Sequence, residues 1–200
     1  MTGNGVYGSP PEPVIGPAEG RTRWRGRLGW FYGPLTRLGL IAALIVCVID
    51  QAAKVWLLSG FDLANRGIVH LTPFLDLVLT WNTGISYGLF PQESDFGRYV
   101  LLALKGGAVL ILWIWLVRAE QRLTALALGL IIGGALGNAI DRLAYGAVAD
   151  FVLFHITTPS FNFTWYVFNL ADAAIVAGVM GLLYESLFGP APQKRPDPPG

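Results

Sequence analysis

The chain has 200 residues, of which 54% are hydrophobic and 14% are charged, and its mean hydropathy is +0.52. Soluble domains carry about 25% charged residues, so these values predict a membrane protein. The net charge of +1 gives no reason to expect nucleic-acid binding. The single cysteine, Cys47, excludes an internal disulfide.

The hydropathy pattern predicts four membrane-spanning helices. Residues 1–34 are rich in Gly, Pro and Arg without periodicity, and we expect a disordered basic cytoplasmic tail there. An apolar run follows from Leu35 to about Leu58, and no small-residue cleavage site follows it, so we interpret it as an uncleaved first span. Three further runs are long enough to cross a bilayer: Tyr99–Val117, Leu123–Ile140 and Val167–Phe188. The predicted membrane domain is therefore 35–188, and the proline-rich segment 189–200 is a second disordered cytoplasmic tail.

The distribution of basic residues predicts the orientation. With the N-terminus inside, nine of the fourteen Lys and Arg residues fall on cytoplasmic segments and three on outer segments. The cytoplasmic nine are Arg21, Arg23, Arg25, Arg27, Arg37, Arg118, Arg122, Lys194 and Arg195; the outer three are Arg66, Arg98 and Arg142. Because basic residues accumulate on the cytoplasmic side, both termini are predicted to be cytoplasmic.

The long outer connection 59–98 has a β-like pattern. Ile68–Trp81 is rich in β-branched and aromatic residues and predicts one or two short strands. Residues 147–154 could add another strand. The predicted fold class is thus an all-α integral membrane protein with a small extracytoplasmic β segment, whose edge could receive an extended peptide.

In this topology the polar residues of three spans converge on the outer face. Asp50 and Lys54 lie in the outer third of the first helix, and Asn138 and Asp141 lie at the outer end of the third. The fourth helix places Asn169 and Asp172 within about 10 Å of the outer interface at 1.5 Å per residue. Ionisable groups are costly in a membrane and are usually functional there.

Several of these residues have structural as well as functional interpretations. Asp50 and Lys54 are four residues apart, so they can form an ion pair that braces the helix end. Asp141 could be a helix-capping, interfacial residue, and Arg142 could extend to the interface or organise a carboxylate elsewhere. Lys105, deep in the second span, could pair with an acid of the cluster.

Asp150 and Asp172 have no cation close in sequence. Asp172 could accept hydrogen bonds from backbone amides at a helix N-terminus, where negative charge is favoured. Alternatively, two carboxylates in a poorly solvated site can share one proton, so that one activates water and the other protonates a leaving group. From the residues alone both interpretations stand. His70 and His155 lack metal-ligand spacing, and no zinc motif such as His-Glu-x-x-His is present.

Five blocks, in this order, resemble the bacterial lipoprotein signal peptidase (signal peptidase II) family. They are Asp50-Gln-Ala-Ala-Lys54, Asn82-Thr-Gly84, Gly137-Asn-Ala-Ile-Asp-Arg142, Val148-Ala-Asp-Phe151 and Phe168-Asn-Leu-Ala-Asp172. The resemblance covers roughly residues 38–188. It implies that Asp150 and Asp172 form the catalytic dyad. It also implies residues that support the dyad or bind substrate: Asp50, Lys54, Asn82, Gly84, Asn138, Asp141, Arg142, Asn169 and Ala171.

The resemblance also implies a function. Members of the family cleave prolipoproteins just before a diacylglyceryl-modified cysteine, use no metal or other cofactor, and are blocked by globomycin. We therefore expect a multi-pass aspartic endopeptidase of the bacterial cytoplasmic (inner) membrane, with its active site near the extracytoplasmic face. We expect it to be a monomer that contacts membrane lipids and binds no nucleic acid.

The sequence departs from the family pattern in two places. The Asn82 block continues with Ser86 and Tyr87, where the family usually has Ala-Phe, and the segment between Asp150 and Asp172 is a few residues longer than usual.

The alternative functions are a small proton-coupled transporter that uses intramembrane Asp and Lys, and a non-enzymatic scaffold. The inner halves of the spans are almost purely apolar, which disfavours the transporter.

Overall fold

The computed structural model describes residues 31–83 and 95–189. The helices are α1 (Thr36–Val55, continued by a π-helical segment Trp56–Gly60), α2 (Leu63–Arg66), α3 (Asp95–Arg118), α4 (Arg122–Tyr145) and α5 (Leu170–Phe188). The strands are β1 (Val69–Thr72), β2 (Leu75–Asn82), β3 (Val148–Thr158) and β4 (Phe161–Thr164).

Within the described residues, three helical stretches are long and apolar enough to cross a membrane: Thr36–Gly60, Arg122–Tyr145 and Leu170–Phe188. Many apolar side chains on α1 and α5 face outward, for example Leu44 at 64% exposure and Val176 at 62%. Large outward apolar surfaces of this kind fit a lipid environment. Helix α3 contains the second predicted span, Tyr99–Val117, and within the described residues its apolar part is the shorter segment Gly106–Arg118. The number of spans and the location of both termini therefore stay predictions.

Helix α4 is the centre of the helical part and packs on both α1 and α5. Glycines make this close approach possible. A methyl group on Gly133 would overlap the backbone of Ala43 in α1, and one on Gly134 would overlap the backbone of Ala171 in α5. Small residues are the usual means by which membrane helices approach closely, since lipid offers no hydrophobic driving force between them.

The four strands form one antiparallel sheet in the order β1-β2-β3-β4. Phe151 of β3 packs with Leu57 and Leu63, so the sheet is joined to the end of α1. Thr80 of β2 pairs with Asp150 of β3. The segment before α5 adds to this arrangement, because the N–H groups of Phe151 and Val152 both donate to the carbonyl of Phe168.

The two β predictions are confirmed, with differences in detail. The Ile68–Trp81 segment forms β1 and β2, and the strand expected at 147–154 extends to Thr158. Strand β4 was not predicted, because its alternation covers only four residues. The fourth predicted span began at Val167, whereas α5 begins three residues later at Leu170. Most of the N-terminal tail, Gly84 and almost all of the C-terminal tail lie outside the described residues.

Candidate active site

Lys54 lies at the centre of a buried polar cluster formed by α1 and α4. Its Nζ is 2.8 Å from Asp50 Oδ2 and 2.7 Å from Asp141 Oδ2. All three side chains are at most 2% exposed. The cluster begins where α1 turns into its π-helical segment, a distortion that often accompanies functional sites.

Asp50 of α1 contacts both α5 and α4. Its Oδ1 accepts a hydrogen bond from the backbone N–H of Ala171 at 3.0 Å, in the first turn of α5. That amide has no partner within its own helix, since the first four N–H groups of a helix are left free. A methyl group on Gly137 of α4 would lie 2.7 Å from Asp50 Oδ2, so glycine at 137 leaves room for the carboxylate.

Asn138 has an amide orientation that its neighbours determine. Lys54 Nζ, which can only donate, lies 3.2 Å from Asn138 Oδ1. The same oxygen accepts from Asn169 Nδ2 at 3.0 Å. The Nδ2 group of Asn138 therefore points the other way and donates to Asp172 Oδ1 at 2.7 Å.

Asp150 enters the cluster from β3 through a tight turn. Gly146, with φ of 78°, ends α4 in the left-handed conformation and lets the chain reverse into β3 four residues before Asp150. Asp150 is 3% exposed. It accepts hydrogen bonds from Asn169 Nδ2 at 2.6 Å and from Asn82 Nδ2 at 3.0 Å. Burial raises the pKa of Asp150, the charge of Asp172 raises it further, and the two asparagine hydrogen bonds act in the opposite direction.

Asp172 lies in the first turn of α5 within a capping box. Asn169 Oδ1 accepts from the Asp172 backbone N–H at 2.9 Å, and Asp172 Oδ2 accepts from the Asn169 N–H at 3.3 Å. Asp172 thus makes the backbone contact expected of a structural residue, while its other oxygen faces Asn138. Asn138 and Asn169 connect the two carboxylates of Asp150 and Asp172.

The structure brings together nearly all residues that the sequence singled out. The Asp50–Lys54 ion pair is confirmed. The interpretation of Asp141 as an interfacial capping residue is wrong: its side chain is 1% exposed, and it accepts a hydrogen bond from the Ala149 N–H of β3 rather than from its own helix.

Arg142 Nη1 donates to the Asn138 carbonyl at 3.0 Å. The side chain of Lys105 lies outside the described part of the structure, so its proposed ion pair stays a prediction.

Sequence reasoning missed Gln51. Its Nε2 donates to Asp141 Oδ1 at 2.8 Å and to the Gly137 carbonyl at 3.0 Å, so it joins α1 to α4 beside Lys54. A polar residue next to Asp50 in an otherwise apolar helix was the available signal.

A second polar cluster was also missed, on the sheet. Asp76 is buried between His70 Nδ1 at 2.8 Å and His155 Nε2 at 3.0 Å, although the second contact does not have hydrogen-bond geometry. Within residues 31–83 and 95–189, no group of three or more His, Cys, Asp or Glu side chains is arranged to hold a metal ion.

Comparison with known proteins identifies the family. Residues 42–188 match the family described as Signal peptidase (SPase) II. The chain belongs to the signal peptidase II family. It is 58% identical over 160 residues to a lipoprotein signal peptidase of Nitrobacter hamburgensis, which covers 80% of this chain and 98% of that protein. It is 57% identical over 157 residues to one of Methylorubrum extorquens, covering 78% of this chain and 89% of that protein.

Solved structures show the same fold. A bacterial membrane enzyme determined by the in meso method at 1.9 Å superposes with a TM-score of 0.61 at 23% identity, over 77% of this chain and 95% of that chain. A second, at 2.3 Å, gives a TM-score of 0.59 over 82% of this chain. The signal peptidase II match contains every described residue of the polar cluster.

Proposed function

We propose that this protein is a membrane-embedded aspartic endopeptidase that removes the signal peptide from prolipoproteins. Signal peptide removal follows from membership of the signal peptidase II family and from relatives named lipoprotein signal peptidase. The observation that carries the aspartic assignment is the pair of Asp150 and Asp172, connected by Asn138 and Asn169. Both carboxylates accept a hydrogen bond from Asn169, Asp150 from its side-chain amide and Asp172 from its backbone N–H.

The proposed substrate class rests on the family resemblance, and the surroundings of the pair are compatible with it. The pair lies at one end of the apolar helices α4 and α5 and beside a sheet, where a membrane-anchored peptide and water can both arrive. We propose cleavage just before a diacylglyceryl-modified cysteine, at the extracytoplasmic face of the bacterial inner membrane. Globomycin sensitivity and a monomeric state belong to the same proposal and rest on the family resemblance.

The two aspartates have different environments, which suggests different roles. Burial raises the pKa of Asp150, so this carboxyl is the better proton carrier. Asp172 lies in the first turn of α5, where the helix dipole and the Asn169 N–H favour negative charge. We therefore assign the shared proton to Asp150 and the base to Asp172.

The reaction then proceeds in two steps. Asp172 takes a proton from water as the water oxygen bonds to the scissile carbonyl carbon, and Asp150 donates its proton to the carbonyl oxygen. Asp172 next gives its proton to the amide nitrogen, the carbon–nitrogen bond breaks, and Asp150 recovers a proton from a hydroxyl of the tetrahedral intermediate. The net change is addition of one water molecule to the peptide bond.

A proton-coupled transporter, the alternative considered from the sequence, is not supported, since the matching family and the relatives are peptidases. The same finding removes support for a non-enzymatic scaffold.

Two substitutions test the aspartic assignment. Asp150→Asn and Asp172→Asn should each abolish cleavage of a purified diacylglyceryl-modified preprotein by the full chain in lipid nanodiscs. An amide cannot exchange the proton that each step requires. The measurement is the rate at which the mature lipoprotein appears on gels.

Asp76→Asn is the matched control. Asp76 is similarly buried, at 4% exposure, but lies in the histidine cluster of the sheet. This variant should retain cleavage. Normal turnover by either dyad variant, with thermal unfolding showing a folded protein, would reject the aspartic mechanism while leaving family membership intact.

A further inference from the structure

Four aromatic rings form a row along β4 and the residues that follow it; three of them are exposed and Phe163 is half-buried. Phe161, Phe163, Trp165 and Tyr166 have successive ring-centroid distances of 6.3, 5.8 and 6.4 Å. Phe161 is 56% exposed, Trp165 54% and Tyr166 81%. Large aromatic side chains are rarely left together in water, so this row marks a surface that contacts something else.

The surrounding segment has no charged residues. Between Asp150 and Asp172 the sequence contains no Asp, Glu, Lys or Arg. The neighbouring outer segment around α2 differs, since it carries Asp62 and Arg66. An uncharged surface rich in Trp and Tyr is compatible with the interfacial layer of a bilayer.

The position of the row along the chain points to the lipid interface. Tyr166 precedes Leu170, the first residue of α5, by four residues. At no more than about 3.5 Å per residue, its Cα lies within about 14 Å of the start of that apolar helix. The polar layer of a bilayer begins where the hydrocarbon core ends and is about 5–8 Å thick on each side. Trp and Tyr concentrate in this layer, because their rings are apolar and their N–H and O–H groups stay hydrated.

The row is also continuous with the lipid-facing surface of α5. Residues 165–168 are Trp, Tyr, Val and Phe, and Leu170 remains 38% exposed. Apart from Asn169, which is buried, residues 165–170 are apolar or aromatic, so this surface leads from α5 back to the end of β4.

We propose that the aromatic hairpin, formed by β3, β4 and residues 165–166, is an interfacial anchor that binds the lipid surface beside the active site. Successive residues of a strand point to opposite faces. Phe161 and Phe163 therefore face the lipid, and Asn162 and Thr164 face water. Because β3 carries Asp150 near its other end, the anchored hairpin also fixes the height of that carboxylate relative to the bilayer.

Site-specific labelling tests this proposal in the full chain. Cys47 is replaced by Ser, and an environment-sensitive fluorophore is attached after Phe161→Cys or, separately, Thr164→Cys. Both positions are exposed and lie on opposite faces of β4. Each labelled protein is placed in phosphatidylcholine nanodiscs, and quenching by headgroup-proximal spin-labelled lipid is compared with quenching by aqueous iodide. Retained cleavage of a lipidated preprotein shows that each variant is folded.

The label at position 161 should be quenched severalfold more by the spin-labelled lipid than the label at 164, and iodide should show the reverse order. Equal iodide quenching at both positions would overturn the proposal. The proposal would also be overturned if the label at 161 became accessible to iodide once the protein was diluted to one copy per disc, because a second copy would then be what covers it. It would equally be overturned if the label were shielded from iodide only when preprotein was present, because substrate would then be what covers it.

Discussion

Lys54 carries the positive charge that balances two buried carboxylates. Asp50 and Asp141 come from different helices, and both lie within 2.8 Å of Lys54 Nζ. A buried ion pair adds little net stability against an apolar replacement, but removal of one partner leaves an uncompensated charge. With two acids and one lysine, the loss of the lysine is the most damaging single change.

Lys54→Met should lower the free energy of unfolding by about 3–5 kcal/mol, because it keeps the side-chain volume and removes the charge. Thermal unfolding in detergent micelles is the measurement.

The combined variant Lys54→Met with Asp50→Asn and Asp141→Asn is the control, since it removes all three charges. It should recover part of the loss, as expected for residues that interact directly. If the triple variant is less stable than Lys54→Met alone, the charge-balance explanation is wrong.

The raised pKa of Asp150 predicts that the stability of the protein depends on pH. Its pKa is raised from 3.8 in the folded protein, first by burial. Between 3.8 and the raised value, the folded state binds more protons than the unfolded state, so the free energy of unfolding falls as pH rises. The contribution is fully present below 3.8 and is lost as pH passes the folded-state pKa.

Asp150→Asn should lack this component. Unfolding midpoints of the wild type and of Asp150→Asn, measured in micelles across the acidic range, should diverge in favour of the variant as pH rises. Parallel curves would show that the Asp150 pKa is not raised.

At the level of elements, α4 determines how the helices meet. Its glycines at 129 and 133 face the backbone of α1, and Gly134 faces that of α5. This contact brings Asn138 and Asp141 close to Lys54 and Asp172. The site geometry therefore depends on interhelical distance as much as on the polar residues themselves.

Gly133→Val should destabilise the protein by about 1–3 kcal/mol or more, because overpacking forces α1 away from α4. Cleavage should fall as well, since Lys54 is displaced from Asn138. Thermal unfolding and the preprotein assay give the two readouts.

Gly106→Val in α3 is the matched control, because a methyl group there meets nothing within 4 Å. It has the same β-branched side chain in a helix without the clash. Equal losses in the two variants would mean that helix propensity, not packing, explains the effect.

At the scale of the whole molecule, the sheet and the helices both contribute residues to the proposed active site. The proposed dyad comes from β3 and α5, and Asn82 of β2 donates a hydrogen bond to Asp150. A bacterium in which this chain is depleted should accumulate prolipoproteins that carry the lipid and retain the signal peptide.

Expression of the wild-type chain in the depleted cells should restore mature lipoproteins, while Asp172→Asn should not. Immunoblots of a tagged lipoprotein provide the measurement. Accumulation of unlipidated precursor instead would place the protein at a different step.

Much of the site could be predicted because polar residues stand out in apolar helices. The Asp50–Lys54 pair follows from its i, i+4 spacing. Chain order places residue 138, near the C-terminus of α4, on the same side as residue 172, near the N-terminus of α5. The partners of Asp141 could not be predicted, because they depend on how α4 is rotated against α1. The contacts of Gln51 with α4 were missed for the same reason, whereas the contact of Asp76 with two histidines depends on how β1, β2 and β3 pair.

The sequence by itself determined the membrane class, the positions of the apolar helices, the strands at 69–82 and the set of polar residues, since each depends on local composition and period. The tertiary structure alone decided which residues meet: Lys54 with Asp141, Asn138 with Asp172, and Asn169 with Asp150. These contacts join residues 19 to 87 positions apart in the chain, and only close packing of helices and sheet fixes their distances to within hydrogen-bond range.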